Sequence, residues 1–266
     1  MDYTDFRLLP MLPLHKRGVL SGNTARVSSV TWEDRRGFIY DDLSWDFSLY
    51  SKWLKGQLAR GTPWLMADWA NVQKGPNYSI IKDTRIRGME RWFDSNVRSL
   101  DDVFDTLSLD VDRLMVSTLS LHSWEVLEEA HEISDSCMPM LMFDGRKVLL
   151  KEKKIGVAEA LRKVDDMGFP ELVLMDLPSL GHRVRPGNLV FKDLPPSTAQ
   201  VIPAGGITEK DIPYLMDWGF DTAIRDVQIP PMAPSEDMPW HSEAPTTSRS
   251  SIPRVTGHPS MDLEGL

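Results

Sequence analysis

Five aspartates stand at or next to the ends of short, mostly apolar runs. Asp68 follows Trp64–Ala67, Asp94 follows Met89–Phe93, Asp144 follows Met140–Phe143, Asp176 follows Leu172–Met175, and Asp226 lies two residues beyond Thr222–Ile224. A carboxylate placed there can act as a general acid or base, or orient a substrate hydroxyl. For one aspartate alone a helix cap or loop ion pair is the commoner role. Five in equivalent places point to a shared acidic rim, with Asp68, Asp144 and Asp176 as candidate proton-transfer residues. A second chemistry lies in Val201–Ile212, where an apolar run ends in Ala204-Gly205-Gly206-Ile207 and a helix starts near Thr208. Two glycines let the backbone approach a ligand, and N–H groups at a helix start can hold phosphate oxygens. The competing reading is a tight turn capped by Thr208. Arg225, with Arg98, Arg183 and Arg185, can add positive charge for an anion, or simply be solvated.

Other chemistries find little support. The six histidines show neither H-E-x-x-H nor H-x-H spacing, so no metal site is expected. His15 and His182 fall near the rim and read as loop residues. The lone Cys137 excludes an intrachain disulfide and reads as a packing residue. No G-x-G-x-x-G follows a strand, so no dinucleotide cofactor is expected.

These residues need elements to position them. Eight apolar runs recur along the chain: Leu8–Leu14, Trp64–Ala67, Met89–Phe93, Leu114–Val116, Met140–Phe143, Leu172–Met175, Val201–Pro203 and Thr222–Ile224. Most are too short for helices and lack polar alternation, as expected of parallel strands covered on both faces. Amphipathic segments lie between them: Phe47, Tyr50 and Leu54 recur at helical spacing, as do Trp124, Leu127 and Ile133, then Val157, Leu161 and Val164 before Gly168. The pattern predicts an α/β fold, a (β/α)8 barrel over residues 1–229, with an open doubly wound sheet as the alternative. In such a barrel the strand ends carrying the aspartates and Gly205-Gly206 share one face.

No helical segment follows Ile224, so the last helix is expected to be reduced or absent. The outer face beside the first and last strands should then be open to self-association or a partner. Residues 230–266 carry seven prolines and two Arg against five Asp and Glu, a net charge of −3, and read as a disordered tail. A hydrophobic content of 41% and a charged content of 26% suit a globular core, and the net charge of −9 argues against general attraction to nucleic acid or anionic lipid. No apolar run approaches membrane-spanning length, and the first residues lack a secretory pattern, so a cytoplasmic protein is expected.

Several motifs, in order, carry a resemblance. Leu9-Pro10-Met11-Leu12-Pro13-Leu14, Asp68-Trp69-Ala70-Asn71, Asp94-Ser95-Asn96-Val97-Arg98-Ser99, Asp112 to Thr118, Met142-Phe143-Asp144 and Ala204-Gly205-Gly206-Ile207 resemble the histidine-biosynthesis barrels. These are the phosphoribosylformimino aminoimidazole carboxamide ribotide isomerase and the imidazole glycerol phosphate synthase cyclase subunit. The resemblance implies a TIM-type barrel that binds a phosphorylated sugar or heterocycle and performs an isomerase-like, Amadori-type rearrangement with two aspartates. It puts one of them at Asp144; the other position is Pro13, which has no proton to offer. It also implies phosphate contacts from Gly205, Gly206 and Ile207, with Arg225 where the family has a Gly-rich turn. Asp94-Ser95-Asn96 replaces the glycines of the family's other phosphate loop, and Leu180 replaces an acid. Losing half of an acid/base pair forfeits about 10²–10⁴-fold in rate. The chain thus resembles a divergent paralogue: an isomerase- or lyase-type enzyme, a non-catalytic regulatory or scaffold barrel, or a protein of one-carbon coenzyme biosynthesis.

Overall fold

The eight apolar runs become eight parallel strands, and the intervals supply the helices and two unforeseen hairpins. The computed structural model describes residues 6–16, 24–182, 190–227 and 229. In chain order its first half contains β1 (Arg7–Lys16), β2 (Ala25–Glu33), β3 (Gly37–Asp46), α1 (Phe47–Lys55), β4 (Trp64–Ala67), α2 (Tyr78–Asp83), β5 (Arg91–Asp94), α3 (Leu100–Leu107) and β6 (Arg113–Ser117). There follow α4 (Glu125–Ile133), β7 (Cys137–Phe143), β8 (Val148–Leu149), β9 (Lys154–Ile155), α5 (Val157–Met167), β10 (Glu171–Asp176), β11 (Gln200–Ala204), α6 (Ile212–Asp217) and β12 (Thr222–Arg225).

Parallel pairing runs β1–β4–β5–β6–β7–β10–β11–β12 and returns to β1, which closes a TIM-type barrel. Alternate residues of each strand point inward. The lumen is filled by side chains such as Leu9, Leu65, Trp92, Val173 and Ile202, together with Met11, Met115, Met138, Met140, Met142 and Met175. Unbranched methionines fill the irregular gaps between these layers. The other set, including Leu12, Met66, Phe93, Leu114 and Leu141, packs against Tyr50, Leu54, Val103, Leu127, Leu161 and Val164 of the helices. Each large side chain so buried contributes about 1.5–3 kcal/mol. Local signals fix the helix ends: Asp46 Oδ1 accepts from Ser48 N at 2.8 Å before α1, and Gly168 closes α5 with φ 82°.

Among the described residues six α-helices surround the eight barrel strands. Among the described residues, which after β12 are only 226, 227 and 229, no helix follows β12, and none lies between β10 and β11, where a 3-10 turn, Leu177–Ser179, is formed. A groove of about 470 Å³ runs beside β12 and β1 between the loop after α1 and the start of α6, lined by Phe6, Leu8, Leu58 and Ile212 and by Arg7, Arg60 and Arg225. The tail reading of residues 230–266 lies outside the described residues. No helix among those described is long and apolar enough to cross a membrane.

The larger unforeseen hairpin is β2–β3, which continues antiparallel from β1. β2 interleaves apolar Val27, Val30 and Trp32 with polar residues, the mark of a sheet with one buried face, while β3 opens on Phe38-Ile39-Tyr40 before turning polar. That face turns onto the barrel mouth. Val30 is buried with Trp69, Leu177 and Leu180, and Trp32, Phe38 and Tyr40 pack against the same cluster. Phe38 stacks on Trp69 with centroids 4.5 Å apart and planes at 11°. Gly181, at φ 74°, lies where any Cβ would overlap the Val30 carbonyl oxygen, so glycine is what lets the hairpin approach the loop after β10.

Candidate functional site

The five rim aspartates do not form one acidic mouth. Hydrogen bonding and the hairpin divide them into three groups. Asp68 and Asp94, at the ends of β4 and β5, form a buried pair. Asn71 Nδ2 donates to both Asp68 oxygens, at 3.0 and 2.9 Å, and Trp69 Nε1 donates to Asp94 Oδ2 at 2.7 Å. Burial pushes Asp68 up to about 7; the Asn71 hydrogen bonds oppose this and the charge of Asp94 adds to it. Burial likewise raises Asp94 to about 6 against the bonds from Trp69 and the Asn96 amide. Asn96 adopts φ 60°, a left-handed conformation that Asn tolerates better than most residues, and its side chain donates to the Asp68 carbonyl. Tyr40 belongs here too: burial, then the Asp68 charge, raises its hydroxyl well above the usual range.

Asp144 is held within its own loop. Its Oδ1 accepts from the Arg146 and Lys147 amides at 3.0 and 2.7 Å, and its Oδ2 pairs with Lys154 Nζ at 2.8 Å. Partial burial acts upwards, but these bonds outweigh it and hold the carboxyl below its ordinary value. An ionised, ion-paired aspartate that organises the β7–β8 turn is a poor proton donor.

Asp176 and Asp226 form the third group, beside a pocket at the mouth. This pocket of about 340 Å³ is lined by Met11 and Pro13 of β1, Ser29 and Val30 of the hairpin, Leu180–His182, Gly206–Thr208, Asp226, Val227 and Ile229. Asp226 Oδ2 accepts from the Gly206 amide at 3.0 Å and from the Gly181 amide at 2.6 Å. Its Oδ1 is buried without a hydrogen-bond partner. Burial pushes Asp226 up to about 7; the two amides oppose the shift and the nearby Asp176 charge favours it. Ser179 Oγ donates to Asp176 Oδ2. Gly205, at φ 96°, sits where a Cβ would overlap the Asp176 carbonyl oxygen, so the close approach of these loops requires glycine.

The sequence-derived candidates are thus only partly assembled. Gly206 and Ile207 line the pocket and Gly205 adjoins it, whereas Asp68, Asp144 and Asp176 contribute nothing to its lining. Arg225 points outward and pairs with Glu209 beside the outer groove. The helix start after Gly206 is capped from within: Thr208 N and Oγ1 both donate to Asp211 Oδ2, at 2.9 and 2.8 Å. Arg98 donates to the Val72 carbonyl at 2.9 Å, and His15 packs edge-on against Tyr40. His182 lines the pocket; Arg183 and Arg185 lie outside the described residues. Cys137 is buried, which pushes its thiol up to about 11. Among the described residues no three His, Cys, Asp or Glu side chains are grouped to hold a metal ion. Sequence reasoning missed the partners: Ser29, Val30 and Tyr40 from the hairpin, and the Gly181 and Gly206 amides gathered on Asp226. Comparison with protein-family models and with curated proteins returns no match.

Proposed function

We propose that this barrel binds a compact phosphorylated sugar or heterocycle in the mouth pocket beside β10, β11 and β12, and acts on it as an isomerase- or lyase-type enzyme. The observation that carries the reading is the convergence of two backbone amides, Gly206 and Gly181, on one oxygen position at the pocket wall. That position accepts an oxyanion: a carboxylate fills it. One donor, Gly206, follows the seventh barrel strand and Asp226 follows the eighth, the region where barrels frequently hold phosphate, while Gly181 reaches in from the loop after the sixth. Proton transfer falls to Asp226, at about 7, with Asp176 beside it; a group that titrates near the working pH serves well as acid or base. A second reading, a regulatory or scaffold barrel without catalysis, is favoured by the ion-paired Asp144 and by Pro13 on the pocket wall.

Calorimetric titration with ribose 5-phosphate at pH 6 tests the binding. A saturable heat that disappears in Gly206→Asp supports the reading. Position 206 has φ 71°, which strains Asp less than most residues, and thermal unfolding checks that the variant is folded before it is titrated. No heat with the unaltered chain contradicts it.

A further inference from the structure

We infer that Asp226 is a built-in competitor for the oxyanion position, so that an anionic ligand binds there together with one proton. The inference rests on the proposed anion site and adds its control. One carboxylate oxygen ties together three loops: the Gly181 amide comes from the loop after β10, the Gly206 amide from the loop after β11, and Asp226 itself follows β12. An incoming phosphate or sulfate needs those same two N–H donors. While Asp226 is ionised its hydrogen bonds are charge-assisted, roughly twice as strong as neutral ones, and its charge repels a second anion. Protonation removes both obstacles. The carboxylate takes one proton from solvent, its bonds to the amides become neutral ones, and the ligand's charged oxygen replaces it as the acceptor. On release the proton returns to solvent, so no other reactant is needed.

The surroundings favour this exchange. Asp226 Oδ1 is buried without a partner, so the ionised form has one oxygen left uncompensated. Asp176 on β10 lies close enough to disfavour a second negative charge, and burial brings Asp226 up to about 7. Among the described residues His182 is the other titratable group on the pocket wall; β1 supplies Met11 and Pro13 there, the hairpin Ser29 and Val30, and the loop after β11 Gly206, Ile207 and Thr208. Arg225 is turned outward and paired with Glu209.

The test is sulfate binding to the full chain, measured by calorimetry between pH 6 and pH 8.5, because sulfate itself does not titrate in this range. The wild-type dissociation constant should rise by about tenfold per pH unit above roughly pH 7. Asp226→Asn keeps the shape and an acceptor oxygen but cannot ionise. It should bind sulfate at pH 8 at least about tenfold tighter than wild type and lose the steep dependence. His182→Gln should leave the wild-type slope in place. Equal binding by wild type and Asp226→Asn at every pH would leave the anion site standing and overturn the competition. A slope unchanged in Asp226→Asn but lost in His182→Gln would overturn it in favour of the histidine. No sulfate or sugar phosphate binding by any variant would overturn site and competition together. A variant that fails to fold leaves a direct measurement on wild type: titrations at pH 8 in two buffers of different ionisation enthalpy should report one proton taken up per sulfate, and zero uptake contradicts the inference.

Discussion

At the scale of single residues, Asp68, Asp94 and Asp226 sit in surroundings that favour the protonated carboxyl, with values raised to about 7, 6 and 7. An unfolded aspartate titrates near about 4. Between roughly pH 4 and pH 7 the folded chain therefore binds more protons than the unfolded chain, and stability falls as pH rises through that window. Asp144 acts in the opposite sense: its lowered value contributes stability present above about pH 4 and lost as pH falls below it. Asp68→Asn should remove the cost of ionising a buried group. It should stabilise the chain at pH 8 by roughly 2 kcal/mol, or about 4–8 °C, and have little effect at pH 5. An equal shift at both pH values in thermal unfolding would contradict this. Asp144→Ala should lower stability by about 1–2 kcal/mol through the lost turn and ion pair. It should leave ribose 5-phosphate binding unchanged in calorimetry; lost affinity in a stably folded variant would restore Asp144 to the ligand site. The positions of these acids are legible in the sequence because each terminates an apolar run. Their partners are not: Trp69 meets Asp94 across 25 residues of chain and Gly181 meets Asp226 across 45.

At the scale of elements, the barrel strands can be read because a parallel strand covered on both faces is written as a short uninterrupted apolar run. Thr222–Ile224 is only three residues long, yet it closes the ring through Leu9↔Ile224 and Ala204↔Ile224. The same criterion passes over β2 and β3, where Val27, Val30 and Trp45 are buried but polar residues intervene. The hairpin is the element that most changes the site, since it covers the Asp68–Asp94 pair with aromatic rings. Phe38→Ala should remove the stack on Trp69 and lower stability by about 2 kcal/mol. Hydrogen exchange should speed up at the β2–β3 amides while β4 and β5 stay protected. Uniform loss of protection would mean that the hairpin unfolds only with the barrel.

For the whole molecule, the closed ring is complete at Arg225, so the barrel does not need residues 230–266 to close. Deleting them should change the melting temperature by less than about 2 °C. A fall of about 10 °C would show instead that the deleted segment covers the outer groove between the loop after α1 and the start of α6. Sedimentation of the same truncated chain reads the expected self-association at this face; a monomer at all concentrations contradicts it. The central claim concerns the barrel mouth, where Gly181, Gly206 and Asp226 meet on the wall of the mouth pocket. Its most direct measurement is a crystal structure of the Asp226→Asn chain grown at pH 6 with ribose 5-phosphate. The phosphate group should lie within hydrogen-bonding distance of the Gly206 and Gly181 amides, with the substituted side chain at position 226 displaced from them. A sugar phosphate seated elsewhere on the barrel, or a mouth pocket holding only solvent, would contradict it.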